Sequence, residues 1–169
     1  YYTGRTFAVE VPFVDKGNVE NAINCVAVML RFGYENEVIA SRIKELQPVA
    51  MRLELKKGKK NSSIIDDSYS NDLDALQIAL EFLNQQGQHP FKMLILSDIP
   101  GVHIEDEKSL SKLKRLLREY RLDKLILIGE VLPKVAAQFE VPSISYSDTT
   151  AFLADIRSLS FENATVLLK

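Results

Sequence analysis

Residues 91–128 read FKMLILSDIPGVHIEDEKSLSKLKRLLREYRLDKLILI, and their pattern decides the fold. Phe91 to Ser97 and Lys124 to Ile128 are near-continuous apolar runs of strand length. Between them Leu110, Leu113, Leu116 and Leu117 recur at helical spacing from about Asp106 to Tyr120, while Lys112, Lys114, Arg115 and Arg118 take the opposite side. Strands that are apolar without alternation are buried on both faces, which is the condition of a parallel sheet. The same alternation continues outward. Met51 to Lys56 and Ser63 to Asp66 flank the polar loop Lys57-Gly58-Lys59-Lys60-Asn61 and read as a hairpin. A helix follows with Leu73, Leu76, Leu80 and Leu83 on one face and Asn71 or Asp72 as its cap. Beyond residue 128 come a short helix near Val131 to Phe139, a strand at Ser143 to Tyr146, a helix from Thr149 to Leu159 and a strand at Ala164 to Leu168. The fold class is α/β: a Rossmann-like, mostly parallel sheet with helices on both faces.

Upstream, Thr6 to Phe13 alternates and predicts a strand with Phe7, Val9, Val11 and Phe13 on one face. Asn18 to about Phe32 predicts a helix ended by Gly33, and Asn36 to Leu46 a second helix that stops before Pro48. Ala22, Ile23, Val26, Ala27 and Leu30, widened by Val28 and Met29, make the first of these apolar over much of its circumference, so it is expected to be covered by the second block or by another copy. Cys25 within it reads as a small buried hydrophobe. Residues 1–47 and 48–169 are therefore read as separate domains, and the terminal residues read as the edges of a piece of a longer protein.

The 169 residues, 46% hydrophobic and 26% charged, are enough to bury a core and exclude intrinsic disorder. Lys and Arg total 21 against 23 Asp and Glu, so no basic footprint calls for nucleic acid. The apolar runs are too short to span a bilayer, and no basic-then-apolar leader is present, which reads as a soluble, cytoplasmic chain. One cysteine and two histidines, His89 and His103, leave no internal disulfide and no Cys- or His-based metal cage. Both histidines lie in loops and read as surface residues.

Ligands of open parallel sheets gather at the carboxyl ends of the strands. The polar residues there are Asp66, Asp67 and Ser68, then Ser97 and Asp98, then Gly129 and Glu130, then Ser147 and Asp148. Each alone is adequately explained as a helix cap or turn former. Adjacent Asp66 and Asp67 repel unless something engages one of them, and only one is expected to face a crevice. Arg52 on the neighbouring hairpin strand presents a fork of donors suited to a ribose, a phosphate or one of those carboxylates. The glycines are isolated: neither a P-loop nor a GxGxxG pattern can be written. Lys57, Lys59 and Lys60 read as a solvated hairpin tip.

Three segments in order resemble the Mur ligase family of peptidoglycan synthesis, in its D-alanyl-D-alanine-adding (MurF) branch. Gly17-Asn18-Val19-Glu20-Asn21-Ala22 resembles the family's HNxxNA element, with Gly17 in place of histidine. Arg52-Leu53-Glu54 after Pro48 resembles its R-x-E segment. Ile65-Asp66-Asp67-Ser68-Tyr69, with Leu73-Asp74-Ala75-Leu76 beyond it, resembles D-D-S-Y-N-A-N-P-D-S, with Ser70-Asn71-Asp72-Leu73 replacing N-A-N-P. Leu94 to Asp98 takes the place of a strand ending in G-D-M, and Lys169 stands where K-G-S-R begins. The wording is most similar to the fusion of this ligase to an alanine racemase.

The resemblance implies a fragment of an ATP-dependent amide-bond ligase, acting in cell wall biogenesis on UDP-N-acetylmuramoyl-tripeptide and D-alanyl-D-alanine through an acyl phosphate. Residues 1–47 would be the tail of the central ATPase domain and 48–169 the C-terminal domain, the phosphate-gripping loop lying in missing domains of the same polypeptide. ATP and Mg2+ are the implied cofactors, bound mainly by that missing part, so the isolated chain is expected to be inactive. Asn18, Asn21, Arg52 and Asp67 would meet the nucleotide, and Ser68, Tyr69 and Asn71 the incoming dipeptide. No catalytic proton-transfer residue and no metal ligand is implied in this chain. A non-catalytic Rossmann-like nucleotide-binding or interaction module is the competing reading, and a folate-polyglutamate ligase is disfavoured by Asp67-Ser68-Tyr69.

Overall fold

A computed structural model of the chain describes residues 6–13, 16–47, 51–103 and 105–169; Tyr1 and Pro48 lie outside them. The chain divides into two compact units, Tyr1–Val49 and Ala50–Lys169.

In the first unit, helix α1 spans Lys16–Arg31 and α2 spans Asn36–Lys44. Gly33 adopts φ 80°, and the chain turns there with Gly33 N donating to Leu30 O and Tyr34 N to Met29 O. A left-handed glycine is what lets the last carbonyls of α1 find partners. Ala22 of α1 and Ile39 and Ile43 of α2 form the buried contact of this unit. The strand expected at Thr6 to Phe13 is not formed. Its alternation survives in the burial, Phe7, Val9, Val11 and Phe13 being the less exposed residues, but a strand requires a ladder, and no described residue supplies one. One expectation for α1, a buried Cys25, is also corrected. Cys25 is exposed, and Ile23 is 57% exposed while Val26 and Leu30 are half-buried. The short α2 covers only the Ala22 side of α1, so the rest of its apolar circumference finds no cover inside the unit.

The second unit is the α/β sheet. Its strands are β1 Glu54–Lys57, β2 Ser63–Asp66, β3 Phe91–Ser97, β4 Lys124–Ile128, β5 Ser143–Tyr146 and β6 Ala164–Leu168. They are ordered β1-β2-β6-β3-β4-β5, and β1 alone runs antiparallel, as the hairpin partner of β2. Helices α3 Leu73–Gln85 and α4 Glu107–Glu119 begin at side-chain caps: Asp72 accepts from Asp74 N and Ala75 N, and Asp106 from Lys108 N and Ser109 N. The helices expected at 131–139 and 149–159 each relax into 3-10 turns, giving α5 Leu132–Val135 with Ala136–Gln138, and α6 Thr149–Asp155 with Ile156–Ser158.

Alternate residues of the central strands feed two cores. Leu94, Leu96, Leu125 and Leu127 join Leu80, Leu113 and Leu117 of α3 and α4, whereas Ile95, Ile126 and Val166 join Phe152 of α6. Each such buried side chain stabilises the fold by about 1.5–3 kcal/mol. Strand β6, last in the chain, lies between β2 and β3, with Ser63 opposite Thr165 and Phe91 opposite Ala164. That insertion places Lys169 between the exits of β2 and β3, where the sequence-predicted site lies. Among the described residues no helix is long and apolar enough to cross a membrane.

Candidate functional site at the carboxyl edge of the sheet

Along this edge lie, in spatial order, the entrance of β1 at Arg52 and Leu53, the exit of β2 at Asp66 to Tyr69, Lys169, and the exits of β3, β4 and β5. The two aspartates of β2 part as alternation requires. Asp67 turns inward and is 7% exposed. One of its carboxylate oxygens accepts from Leu53 N at 3.1 Å, and the other pairs with the ammonium of Lys169, whose side chain is fully buried. Asp66 faces the other way and accepts from Lys56 Nζ at 2.8 Å and Ser68 Oγ at 2.6 Å. Burial pushes the Asp66 carboxyl up, but the hydrogen bonds from Lys56 and Ser68 outweigh it and hold the group below the usual carboxylate range. The same bond to Asp66, with one to Glu54, raises the Lys56 ammonium above its ordinary value.

Arg52 pairs with neither aspartate. Its guanidinium lies over the ring of Tyr69, 4.3 Å from the centroid, a contact worth about 0.5–1 kcal/mol at an exposed site. The backbone that carries it is unusual: Met51 and Leu53, on either side, adopt φ of 61° and 48°. Left-handed conformation at such side chains costs energy and is held by surrounding contacts. Those contacts are Tyr69 N to Met51 O at 3.1 Å and Leu53 N to Asp67. The buried Asp67–Lys169 pair therefore anchors a strained arm that presents Arg52 and Tyr69 outward together, Tyr69 being 60% exposed.

Asn71 sits before α3 and reaches across to the exit of β3, donating from Nδ2 to Ser97 O, Ser97 Oγ and Asp98 O at 3.0–3.2 Å. Its Oδ1 is buried without a partner among the described residues. Ser68, three residues earlier, is exposed, with its hydroxyl already given to Asp66. Arg52, Asp67, Ser68, Tyr69 and Asn71 thus share one edge. Asn18 and Asn21 belong to the first unit, three positions apart on α1 and so on one face of it.

Asp98 has a different task. Its carboxylate fills the turn before α5, accepting from Glu130 N at 2.6 Å, Val131 N at 3.0 Å and Leu132 N at 2.8 Å. Three converging N–H groups are an anion site, and here the anion is the protein's own. Gly129 makes the approach possible: at φ 137° a Cβ would lie 2.3 Å from the Asp98 carboxyl. The sequence marks this with a glycine at one strand exit and an aspartate at the next, whereas Lys169 and Lys56 as partners of the two β2 aspartates carry no local signal.

Mg2+ does not fit the residues present: among the described residues no group of three metal-binding side chains forms, and both β2 carboxylates are engaged by lysines. A nucleotide fits better at Arg52, a cation without an ion-pair partner among the described residues and beside an exposed ring, although the filled turn at Asp98 leaves no backbone cradle there for a phosphate.

No family model matches the chain. The UDP-N-acetylmuramoyl-tripeptide–D-alanyl-D-alanine ligase of Bacillus subtilis (strain 168) is 24% identical over 164 residues, covering 94% of this chain and 36% of that protein. Among solved structures, a MurF from Acinetobacter baumannii superposes with a TM-score of 0.74 at 22% identity, over 95% of this chain and 36% of that one. The fold is that of a Mur ligase C-terminal domain. A MurF ligase from Thermotoga maritima, solved in complex with ADP, gives a TM-score of 0.69 at 21% identity over 96% of this chain and 37% of its own. The chain spans about a third of the length of these relatives.

Proposed function

We propose that the chain is the C-terminal region of an ATP-dependent amide ligase that joins D-alanyl-D-alanine to UDP-N-acetylmuramoyl-tripeptide. Residues 1–47 close the ATPase domain, and residues 48–169 form the domain that delivers the amine. One observation carries the reading: Arg52 is held away from both neighbouring carboxylates, over Tyr69, on an arm braced by Asp67 and Lys169. A guanidinium kept free and oriented at the carboxyl edge of a parallel sheet is suited to an anionic ligand. The similarity to the tripeptide–D-alanyl-D-alanine ligase supplies the reaction class.

A carboxylate is a poor electrophile, so amide formation needs a leaving group, supplied when the tripeptide carboxylate is activated as an acyl phosphate. That chemistry belongs to residues outside this chain. What this chain contributes is position: Arg52 engages the ribose and phosphates, and Asp67 acts through the arm rather than by touching ligand. Ser68, Tyr69 and Asn71 lie towards the incoming dipeptide. Asn18 and Asn21 meet the adenine edge. Closing such a region over the activated carboxylate excludes the water that would hydrolyse it.

The test is phosphate release by the intact parent polypeptide. Release should require both tripeptide and D-alanyl-D-alanine, and Arg52→Ala should depress it sharply. Substrate-independent release, or wild-type turnover in that variant, contradicts the assignment. The second reading, a non-catalytic nucleotide-binding or interaction module, is favoured by the neutralisation of Asp66 and Asp67 within the fold. Nucleotide binding by the parent with no dependence of turnover on the two substrates would select it.

A further inference from the structure

The carboxylates in the segments next to Arg52 are each answered by a lysine. Lys56 Nζ lies 3.1 Å from Glu54 and 2.8 Å from Asp66, and Lys169 pairs with Asp67. What the guanidinium meets is the ring of Tyr69, 4.3 Å from its centroid. The difference matters chemically. A carboxylate takes up the N–H donors of an arginine and cancels its charge, whereas a ring face holds the cation by its quadrupole and leaves the donors to a ligand. Tyr69 is tied to the same arm through its backbone. Its N–H donates to Met51 O at 3.1 Å, and Asp67, two residues earlier, accepts from Leu53 N at 3.1 Å. These bonds bracket Arg52 on both sides, so ring and guanidinium ride on one clasp. The hydroxyl has no comparable duty. Tyr120 and Tyr146 give theirs to Glu81 and Asp155, but that of Tyr69 takes no hydrogen bond among the described residues. A ring that is 60% exposed and belongs to neither core is not held there by burial.

We infer, resting on the nucleotide role proposed above for Arg52, that Tyr69 is a positioning residue: its ring aims the guanidinium at a nucleoside diphosphate, and its share of the binding passes through Arg52 rather than through contact with that ligand. The ring thereby has a task on the nucleotide side, besides its place towards the dipeptide. The physical basis is preorganisation. An arginine free in solvent loses side-chain freedom when an anion binds it, and a ring that already restricts the side chain removes part of that cost. The guanidinium stays fully charged meanwhile, because its partner is an uncharged ring and not a carboxylate. The ring face does this work, so the hydroxyl is dispensable.

The test is calorimetric binding of ADP to the intact parent polypeptide in a double-variant cycle. Tyr69→Leu should weaken ADP about two- to fivefold, the worth of an exposed cation–ring contact. Tyr69→Phe, which keeps the ring and drops only the hydroxyl, should bind like wild type. Arg52→Ala should weaken ADP by more than Tyr69→Leu does, and adding Tyr69→Leu to Arg52→Ala should change nothing further. Tyr69 is exposed, so its variants should keep the wild-type thermal midpoint. A merely structural role lowers affinity by the same factor with and without Arg52; that result, or wild-type affinity in Tyr69→Leu, overturns the inference. So does a Tyr69→Phe variant as weak as Tyr69→Leu, which moves the role to the hydroxyl, and so does a parent that binds no ADP. Phosphate release on the same preparations reports the ligase reading separately. The cycle can fail while release keeps its dependence on tripeptide and D-alanyl-D-alanine, and it can hold where release lacks that dependence.

Discussion

Asp67 and Lys169 lie 102 positions apart and form a buried ion pair at the junction of β2 and β6. The other oxygen of Asp67 holds Leu53 N, so the charge pair at the carboxyl edge of the sheet also fixes the residue next to Arg52. A buried pair is costly to form but more costly to break by half, because the survivor is left as an unpaired charge.

Removing one partner should therefore destabilise the second unit by about 3–5 kcal/mol. Asp67→Asn or Lys169→Met should lower the urea midpoint strongly, and the double variant that combines the two should recover much of the loss. A double variant as unstable as the sum of the single ones would show that the pair is not coupled.

Gly129→Ala should be destabilising by more than about 1 kcal/mol, since alanine must adopt a positive φ and its Cβ collides with Asp98. Asp98→Ala, which leaves three N–H groups without their acceptor, should cost about 1–3 kcal/mol. Chemical denaturation of each variant measures both; near-wild-type midpoints would contradict the packing seen at this turn.

Acid should weaken the hairpin in a predictable direction. Asp66 has a depressed folded-state pKa, so the unfolded chain takes up the proton first as pH falls. Its contribution is complete above the unfolded carboxylate value near 3.9 and is lost as pH drops through the lower folded value. Lys56, with a raised folded-state pKa, contributes fully below the unfolded lysine value and loses that contribution as pH rises through the folded one. Urea midpoints should show a shallower acid limb in Asp66→Asn and a shallower alkaline limb in Lys56→Met. Limbs parallel to wild type would remove the pair from the pH dependence.

Within the sheet, much was legible from local pattern. Phe91–Ser97 and Lys124–Ile128 declare their strands because every residue that must be buried is apolar. Asp72 and Asp106 declare helix starts because a short acceptor before a leucine repeat has one natural use. Relations between distant segments were not legible. That Lys169 meets Asp67 depends on β6 entering between β2 and β3, a fact of topology that no spacing encodes. Alternation at Phe7 to Phe13 reports which side chains are shielded but cannot supply a ladder, and the exposure of Cys25 depends on what lies against α1 rather than on the helix itself. The sequence places Arg52 and Asp67 at one strand edge, whereas their division of labour, one free and one buried, emerges only with the lysines in place.

The most direct measurement is the rate of phosphate release by the intact parent polypeptide, with tripeptide and D-alanyl-D-alanine supplied, for wild type, Arg52→Ala and Arg52→Lys. Arg52 is exposed and makes no ion pair among the described residues, so both variants should unfold within about 0.5–1 kcal/mol of wild type. The account predicts turnover at least about tenfold lower in Arg52→Ala, a loss of ~1.4 kcal/mol or more in the transition state, with Arg52→Lys only partly restoring it. Wild-type turnover in a folded Arg52→Ala enzyme would contradict it.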